Sequence, residues 1–174
     1  MRSHAVLLIV LLFGMAIAPM ASTDSTISTS TTWRGNVVLT GNVTVDSSST
    51  LVLEAGTVVD AQSYWLQIDG MLEASDSEFM TSKTPVGQGS TGAGLWGGII
   101  VSNGATAALS NITISGAETA LDVHGEVTIA KSIAVRTSYI GFNIESTGRL
   151  DAENVTMSTI DIQSVVNHGD LVLD

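Results

Sequence analysis

A repeat constrains this chain more than any other feature. Segments beginning at Gly104, Gly125, Gly148 and Gly169 follow one another at steps of 21, 23 and 21 residues. Apolar residues close each segment: Leu121-Asp122-Val123 before Gly125, Phe142-Asn143-Ile144 before Gly148, Val165-Val166 before Gly169. An alternating triplet opens the next: Val127-Thr128-Ile129, Leu150-Asp151-Ala152, Leu171-Val172-Leu173. A period in this range marks a stacked-repeat architecture, in which each unit buries its apolar face on its neighbours. The repeat extends backward through Leu66-Gln67-Ile68-Asp69-Gly70 and Leu72-Glu73-Ala74, then through Leu51-Val52-Leu53 after Ser49. Between Gly70 and Gly104 the step is 34 residues. The excess is assigned to Lys83–Gly94, rich in glycine (Gly87, Gly89, Gly92, Gly94). It is expected to be a surface excursion that folding does not require, since surface insertions cost little loop entropy.

Each unit carries three brief strands. In Gly148–His168 they are Leu150–Ala152, Val155–Met157 and a run around Ile160–Val166. No window holds a helical period. A coil of this length with three strands and polar turns is one turn of a single-stranded parallel β-helix, an all-β solenoid whose turns stack about 4.8 Å apart. The expected inward residues are Leu53, Leu66, Ile68, Ile112, Ile114, Leu121, Val123, Val127, Ile129, Ile133, Val135, Phe142, Ile144, Val155 and Met157. Their outward neighbours Thr113, Asp122, Thr128, Ala134, Asn143 and Thr156 are small or polar, as a solvated face requires.

Residues 1–22 read as a secretory signal: Arg2 and His4 precede the apolar run Ala5–Ile17, and Ala16, Ala18 and Ala21 supply small residues for cleavage. An uncleaved N-terminal anchor is the alternative. Residues 23–32 are nearly all Ser and Thr and are expected to be a flexible lead-in. The β-helix is expected over 33–174, and it stops after the first strand of a new turn without a capping unit. A solenoid end of that kind exposes its core and strand edges. The expectation is therefore a β-helix incomplete at its C-terminus, or one that stacks end to end on another β-helix segment. Six Lys and Arg stand against 17 Asp and Glu, a formal charge of −11. Such a chain has no electrostatic reason to bind nucleic acid. With no cysteine, disulfide and thiol chemistry are excluded.

Trp96-Gly97-Gly98-Ile99-Ile100-Val101, with the opening Gly41-Asn42-Val43-Thr44-Val45 and Thr50–Val59, resembles secreted right-handed β-helix proteins of the pectin-lyase-like superfamily. The resemblance covers roughly 33–174 and implies fold more than activity, since the fold hosts lyases, hydrolases, adhesins and scaffolds. The lyases it brings to mind hold calcium with clustered Asp on one strand face. Aligned by the repeat, one column reads Val52, Glu73, Ala107, Thr128, Asp151, Val172 and another Gln67, Ile100, Asp122, Asn143, Val166. Neither stacks carboxylates on adjacent turns, and a hard cation needs six or more converging oxygens. The motif sets of the superfamily's glycosidases are absent, His124-Gly125 and His168-Gly169 being fragments of one. His124 and His168, with Asp69, Asn103 and Thr147 as expected equivalents, lie two turns apart, too far for a shared zinc. No catalytic residue, metal or cofactor is expected.

Four residues remain as carbohydrate contacts. Trp96 beside the insertion either packs or stacks on a sugar ring. Lys131, Arg136 and Arg149 fall on neighbouring turns and form a small basic patch or balance Glu126, Glu145 and Glu153. Asn42, Asn111 and Asn154 each open an Asn-X-Thr sequon, either a glycosylation site in an exported chain or an Asn bonding the backbone of its own turn. The functional expectation is a non-catalytic secreted or cell-surface β-helix, a scaffold or adhesin-like module that binds extracellular polysaccharide or cell-surface glycan. The alternative is a polysaccharide lyase or glycoside hydrolase whose catalytic turns lie beyond residue 174.

Overall fold

The computed structural model describes residues 24–84 and 92–174. The signal-like run and loop glycines Gly87 and Gly89 lie outside them. The described chain is a parallel β-helix of about six turns of roughly 22 residues, all strand pairs parallel. Face 1 stacks β1 (Ser25–Ile27), β4 (Val43–Val45), β7 (Trp65–Ile68), β9 (Gly98–Val101), β11 (Thr119–Val123) and the last segments of β12 (Glu126–Ile144) and β14 (Val155–Asn167). Face 2 stacks β2 (Thr31–Trp33), β5 (Thr50–Leu53), the first halves of β8 (Met71–Met80) and β10 (Thr106–Ser115), the start of β12, then β13 (Arg149–Ala152) and β15 (Asp170–Leu173). Face 3 stacks β3 (Asn36–Val38), β6 (Val58–Asp60), the second halves of β8 and β10, the middle of β12 and the start of β14.

Alternate side chains of all three faces fill one core. The expected inward residues are buried, except Val155 and Met157, which pack half-buried on the core from the last turn. Burying each aliphatic side chain is worth about 1.5–3 kcal/mol, so the stack is held chiefly by these columns. The same last turn leaves Ile162 65% and Leu173 49% exposed.

Two expectations change. The segment 23–32 is not a lead-in throughout, since β1 and β2 already pair with β4 and β5 through Thr26–Thr44 and Thr32–Val52. Ser and Thr there read as flexible by composition, yet Thr is β-branched and suits a pleated strand, and Ile27 and Trp33 supply inward anchors. The second change is one of register. Thr106 lies opposite both Met71 and Glu126, so the outward column runs Val52, Glu73, Ala108, Thr128, Asp151, Val172. Ala108 thus replaces Ala107, which faces the core at 3% exposure. Gly104 serves a turn (φ 81°), and Ala105 takes the position that glycine holds in later turns.

That position is the first corner, between faces 1 and 2. Ser49, Gly70, Ala105, Gly125, Gly148 and Gly169 occupy it in successive turns. A Cβ on Gly125 would lie 2.4 Å from the carbonyl oxygens of Ala105 and Ser102, and one on Gly148 would lie 2.0 Å from that of Val123. The glycines that mark the repeat are there because neighbouring turns touch backbone to backbone. The second corner, between faces 2 and 3, has another requirement. Gly35, Gly56, Asp76, Asn111, Lys131 and Asn154 turn it with φ between 47° and 81°. Asn and Asp tolerate this left-handed region better than most residues, and Lys131 does so at a cost of about 1–2 kcal/mol.

The two corners separate in their response to one methyl group. Gly125→Ala should destabilise the chain by about 3 kcal/mol, because carbonyls of the adjacent turn block the added carbon. Gly104→Ala, with open space around it but φ at 81°, should cost about 1 kcal/mol. Urea unfolding followed by circular dichroism measures both. An equal or reversed order would contradict the close approach at the first corner.

Candidate functional site

The third corner, between faces 3 and 1, differs between the two halves of the molecule. In later turns β12 and β14 pass it through a single left-handed residue, Thr137 (φ 52°) or Thr159 (φ 56°). In the first three turns the described residues 39–42, 61–64, 81–84 and 92–97 lie outside the strands. These looser connections leave a cleft of about 290 Å³ lined by Val38, Leu39, Thr40, Gln62, Ser63, Tyr64 and Lys83.

The cleft's frame is tied by hydrogen bonds. The Asp60 carboxylate accepts from the backbone N–H of Gln62 at 3.1 Å and of Ser82 at 2.9 Å, and from Gln62 Nε2. Gln62 Nε2 also donates to Ser82 Oγ at 2.7 Å, and Thr81 Oγ1 donates to the Gln62 carbonyl at 2.6 Å. Asp60 thus fixes the point where the insertion departs. Partial burial pushes its carboxyl up, but the hydrogen bonds from Ser82 and Gln62 outweigh this and hold it below its ordinary 3.8. The returning limb is tied as well: Gly94 N–H donates to Ala117 O at 3.0 Å and Leu95 N–H to Gly116 O at 2.9 Å. The insertion as expected, Lys83–Gly94, therefore has its last residue bonded into the solenoid.

Trp96 stands among these anchors. It is 2% exposed and donates its indole N–H to Ser115 O at 2.8 Å. No ring face is left for a sugar, which corrects its reading as a stacking surface. The accessible aromatic side chains among the described residues are Tyr64, Trp65 and Tyr139, with Trp33, Phe79, Trp96 and Phe142 buried. All three accessible rings stand at the third corner. Trp65 lies against Gly97, and the Tyr139 ring lies against Gly94. The signal in the sequence was an aromatic at the entry to face 1: Tyr64-Trp65 where other turns carry Gly97-Gly98 or Thr119-Ala120, and Tyr139 where the preceding turn carries Glu118.

The basic residues do not gather into a patch. Lys131 sits at the second corner, Arg136 at the end of face 3 and Arg149 at the start of face 2. Arg149 pairs with Asp151 at 3.5 Å and with Asp170, rather than with the glutamates expected to balance it. Of these three, only Arg136 lies toward the third corner. Of the sequon asparagines, Asn42 is half-buried and accepts the Trp65 N–H at 3.3 Å. Asn111 Nδ2 donates to Asp76 Oδ1 at 2.7 Å, and Asn154 Nδ2 to Lys131 O at 2.7 Å. The Asn111 and Asn154 bonds run to the preceding turn and the Asn42 bond to the following one, and not, as expected, within the residue's own.

Face 1 carries a polar ladder. Asn143 Nδ2 donates to Asp122 Oδ1 at 2.8 Å and to Glu145 Oε1 at 3.1 Å, and His124 Nε2 stands 3.4 Å from Asp122 Oδ2. Ser102 Oγ and Gln67 Nε2 both donate to Asp69 Oδ1. By register the equivalents of His124 are Asp69, Ser102, Glu145 and His168, so Ser102 and Glu145 replace Asn103 and Thr147 in that column. Asp122 lies between Ile100 and Asn143, and Asp151 between Thr128 and Val172. Among the described residues no group of three or more His, Asp or Glu could hold a metal ion. Comparison with protein-family models, curated proteins and solved structures finds no match.

A depressed carboxyl gives stability that is present above its unfolded value and lost as pH falls through the folded one. Asp60→Asn should therefore lower the unfolding midpoint at pH 7, with the difference from wild type shrinking below about pH 3.8. Thermal unfolding at pH 7, 5 and 2.5 tests it. A wild-type–variant difference that stays constant from pH 7 to pH 2.5 would show that the Asp60 charge does not hold the corner.

Proposed function

We propose that this chain is a non-catalytic β-helix that acts outside the cell or at its surface and binds carbohydrate along its third corner. The observation that carries this reading is the set of accessible rings along the third corner: Tyr64, which lines a ring-sized cleft, Trp65 next to it, and Tyr139 three turns further along the same edge. Aromatic rings present a flat apolar face with a polar rim, which suits the apolar face of a pyranose and its hydroxyl edge. A rigid scaffold bearing its recognition groups on loop connections fits the same reading. So does face 1, where Asp122, Asn143, Glu145, Asp69 and Ser102 spend their hydrogen bonds on one another as a solvated ladder. The superfamily resemblance in the sequence is compatible with a binding scaffold and adds no residue to the site.

A glycan array probed with the purified protein, run beside a reducing-end assay on each bound polysaccharide, tests the reading. Binding without new reducing ends is expected, and Trp65→Ala with Tyr139→Ala should weaken it about tenfold or more while the strand signal stays. Absence of binding to any glycan would overturn the binding role, and polysaccharide cleavage would overturn the non-catalytic one.

A further inference from the structure

Two of the three Asn-X-Thr sequons stand away from the aromatic edge, at the second corner. Asn111 and Asn154 turn that corner in a column with Asp76 and Lys131. Stacked strands put the two asparagines, two turns apart, about 10 Å from one another. The middle residue of each sequon points inward: Ile112 is 2% exposed, and Val155 packs half-buried on the core. Each Asn therefore shares the outer surface with its sequon threonine. Asn111, Asn154 and Thr156 are exposed and Thr113 is half-buried. Asn111 and Thr113 also line one surface groove of about 330 Å³, together with Gly56, Val58, Asp76 and Glu78. An Asn amide nitrogen carries two hydrogens. At Asn111 one is spent on Asp76 Oδ1 and at Asn154 one on Lys131 O, both at 2.7 Å, which leaves the other for substitution. Asn42 is placed differently. It is half-buried at the third corner, its Oδ1 accepting the Trp65 N–H at 3.3 Å and its own N–H donating to Asp24 Oδ1 at 3.1 Å. It is thus held between the turn before and the turn after.

We infer that Asn111 and Asn154 carry N-linked sugar and that Asn42 does not, an inference that rests on the extracellular half of the reading above. The sequon is the acceptor pattern for such transfer, and the sugar comes from a glycosyl diphosphate donor. The bond between the sugar's anomeric carbon and the donor's phosphate oxygen breaks, a bond from that carbon to Nδ2 forms, and one amide proton leaves with the released diphosphate. The hydrogen left on Nδ2 keeps the bond to Asp76 or Lys131, so the second corner retains the contacts that hold it. An N-linked oligosaccharide is bulky and solubilising. On Asn111 and Asn154 it clothes the second corner and leaves the rings of the third corner uncovered.

The test is secretion of the full chain, its own leader included, from a eukaryotic cell that attaches N-linked sugars, with peptide mapping by mass spectrometry. Enzymatic release of the sugar converts each occupied Asn to Asp and so marks the site. Asn111 and Asn154 should be occupied and Asn42 bare. Asn111→Gln and Asn154→Gln should each remove the mass of one oligosaccharide, and together all of it. Each of these variants also removes a hydrogen bond of the corner, so Thr113→Val and Thr156→Val supply the second test. They destroy the sequon, keep Asn111 and Asn154 with their bonds, and should give the same losses while circular dichroism shows unchanged strands. Secreted protein that lacks sugar at either Asn111 or Asn154, or that carries it on Asn42, would overturn the inference and leave the extracellular reading standing. A chain that stays in the cytoplasm, unmodified, would overturn both.

Discussion

Each turn of this molecule rests on the backbone of the one before it, and the contact tolerates almost nothing between them. Parallel ladders hold the three faces at strand spacing, but the ladder is interrupted at the corners, which must also meet by shape. At the first corner the meeting is carbonyl against α-carbon, so Gly70, Gly125, Gly148 and Gly169 recur with Ser49 and Ala105 as the other occupants. The core columns can form only because these corners close. At the four glycines even a Cβ would come within 2.4 Å of a carbonyl oxygen of the stack, so a side chain there would lift one turn off the next and open the inward rows of Val, Ile and Leu to water.

The second corner solves a different problem, reversing the chain's direction within an otherwise extended strand. One left-handed residue per turn does this, and the side chains of Asp76, Asn111 and Asn154 then bond along the stack. The third corner is regular only in the later turns. Where it is loose, the structure has room for a cleft, and Asp60, Gln62 and the limbs of the insertion hold that cleft open. The proposed recognition edge thereby falls where the repeat is broken, with the unbroken turns beyond it as its rigid support.

The fold was legible because period, strand alternation and corner glycines are all local and repeated. Aligning Gly104 with Gly125 shifted one turn by a residue, since a turn glycine with positive φ and a close-approach glycine look alike in sequence and differ only in what surrounds them. The Ser/Thr tract was misjudged from composition, although Ile27 within it and Trp33 just after it supply inward anchors. The site was scarcely legible. Trp96 draws attention by its size and its Gly-Gly neighbours, but those features belong to a residue that anchors the returning limb in the core. Lys131, Arg136 and Arg149 are close in sequence register and are dispersed by the corners. Gln62 carries no signal of its own, because its part in the corner's frame comes from the Asp60, Thr81 and Ser82 that the loop connections bring beside it.

The register of the stack is the point on which all of this depends, and disulfide trapping reads it directly. The chain has no cysteine of its own. Register partners on adjacent parallel strands lie about 4.8 Å apart, within the range a disulfide spans. Thr128 faces Ala108 across faces 2 of successive turns, whereas Ala107 points into the core. The double variant Ala108→Cys with Thr128→Cys should oxidise rapidly in the folded protein, and Ala107→Cys with Thr128→Cys should not, a difference that urea abolishes. Efficient trapping of the 107–128 pair in place of 108–128 would contradict the turn-on-turn register and, with it, the corner built on Gly125.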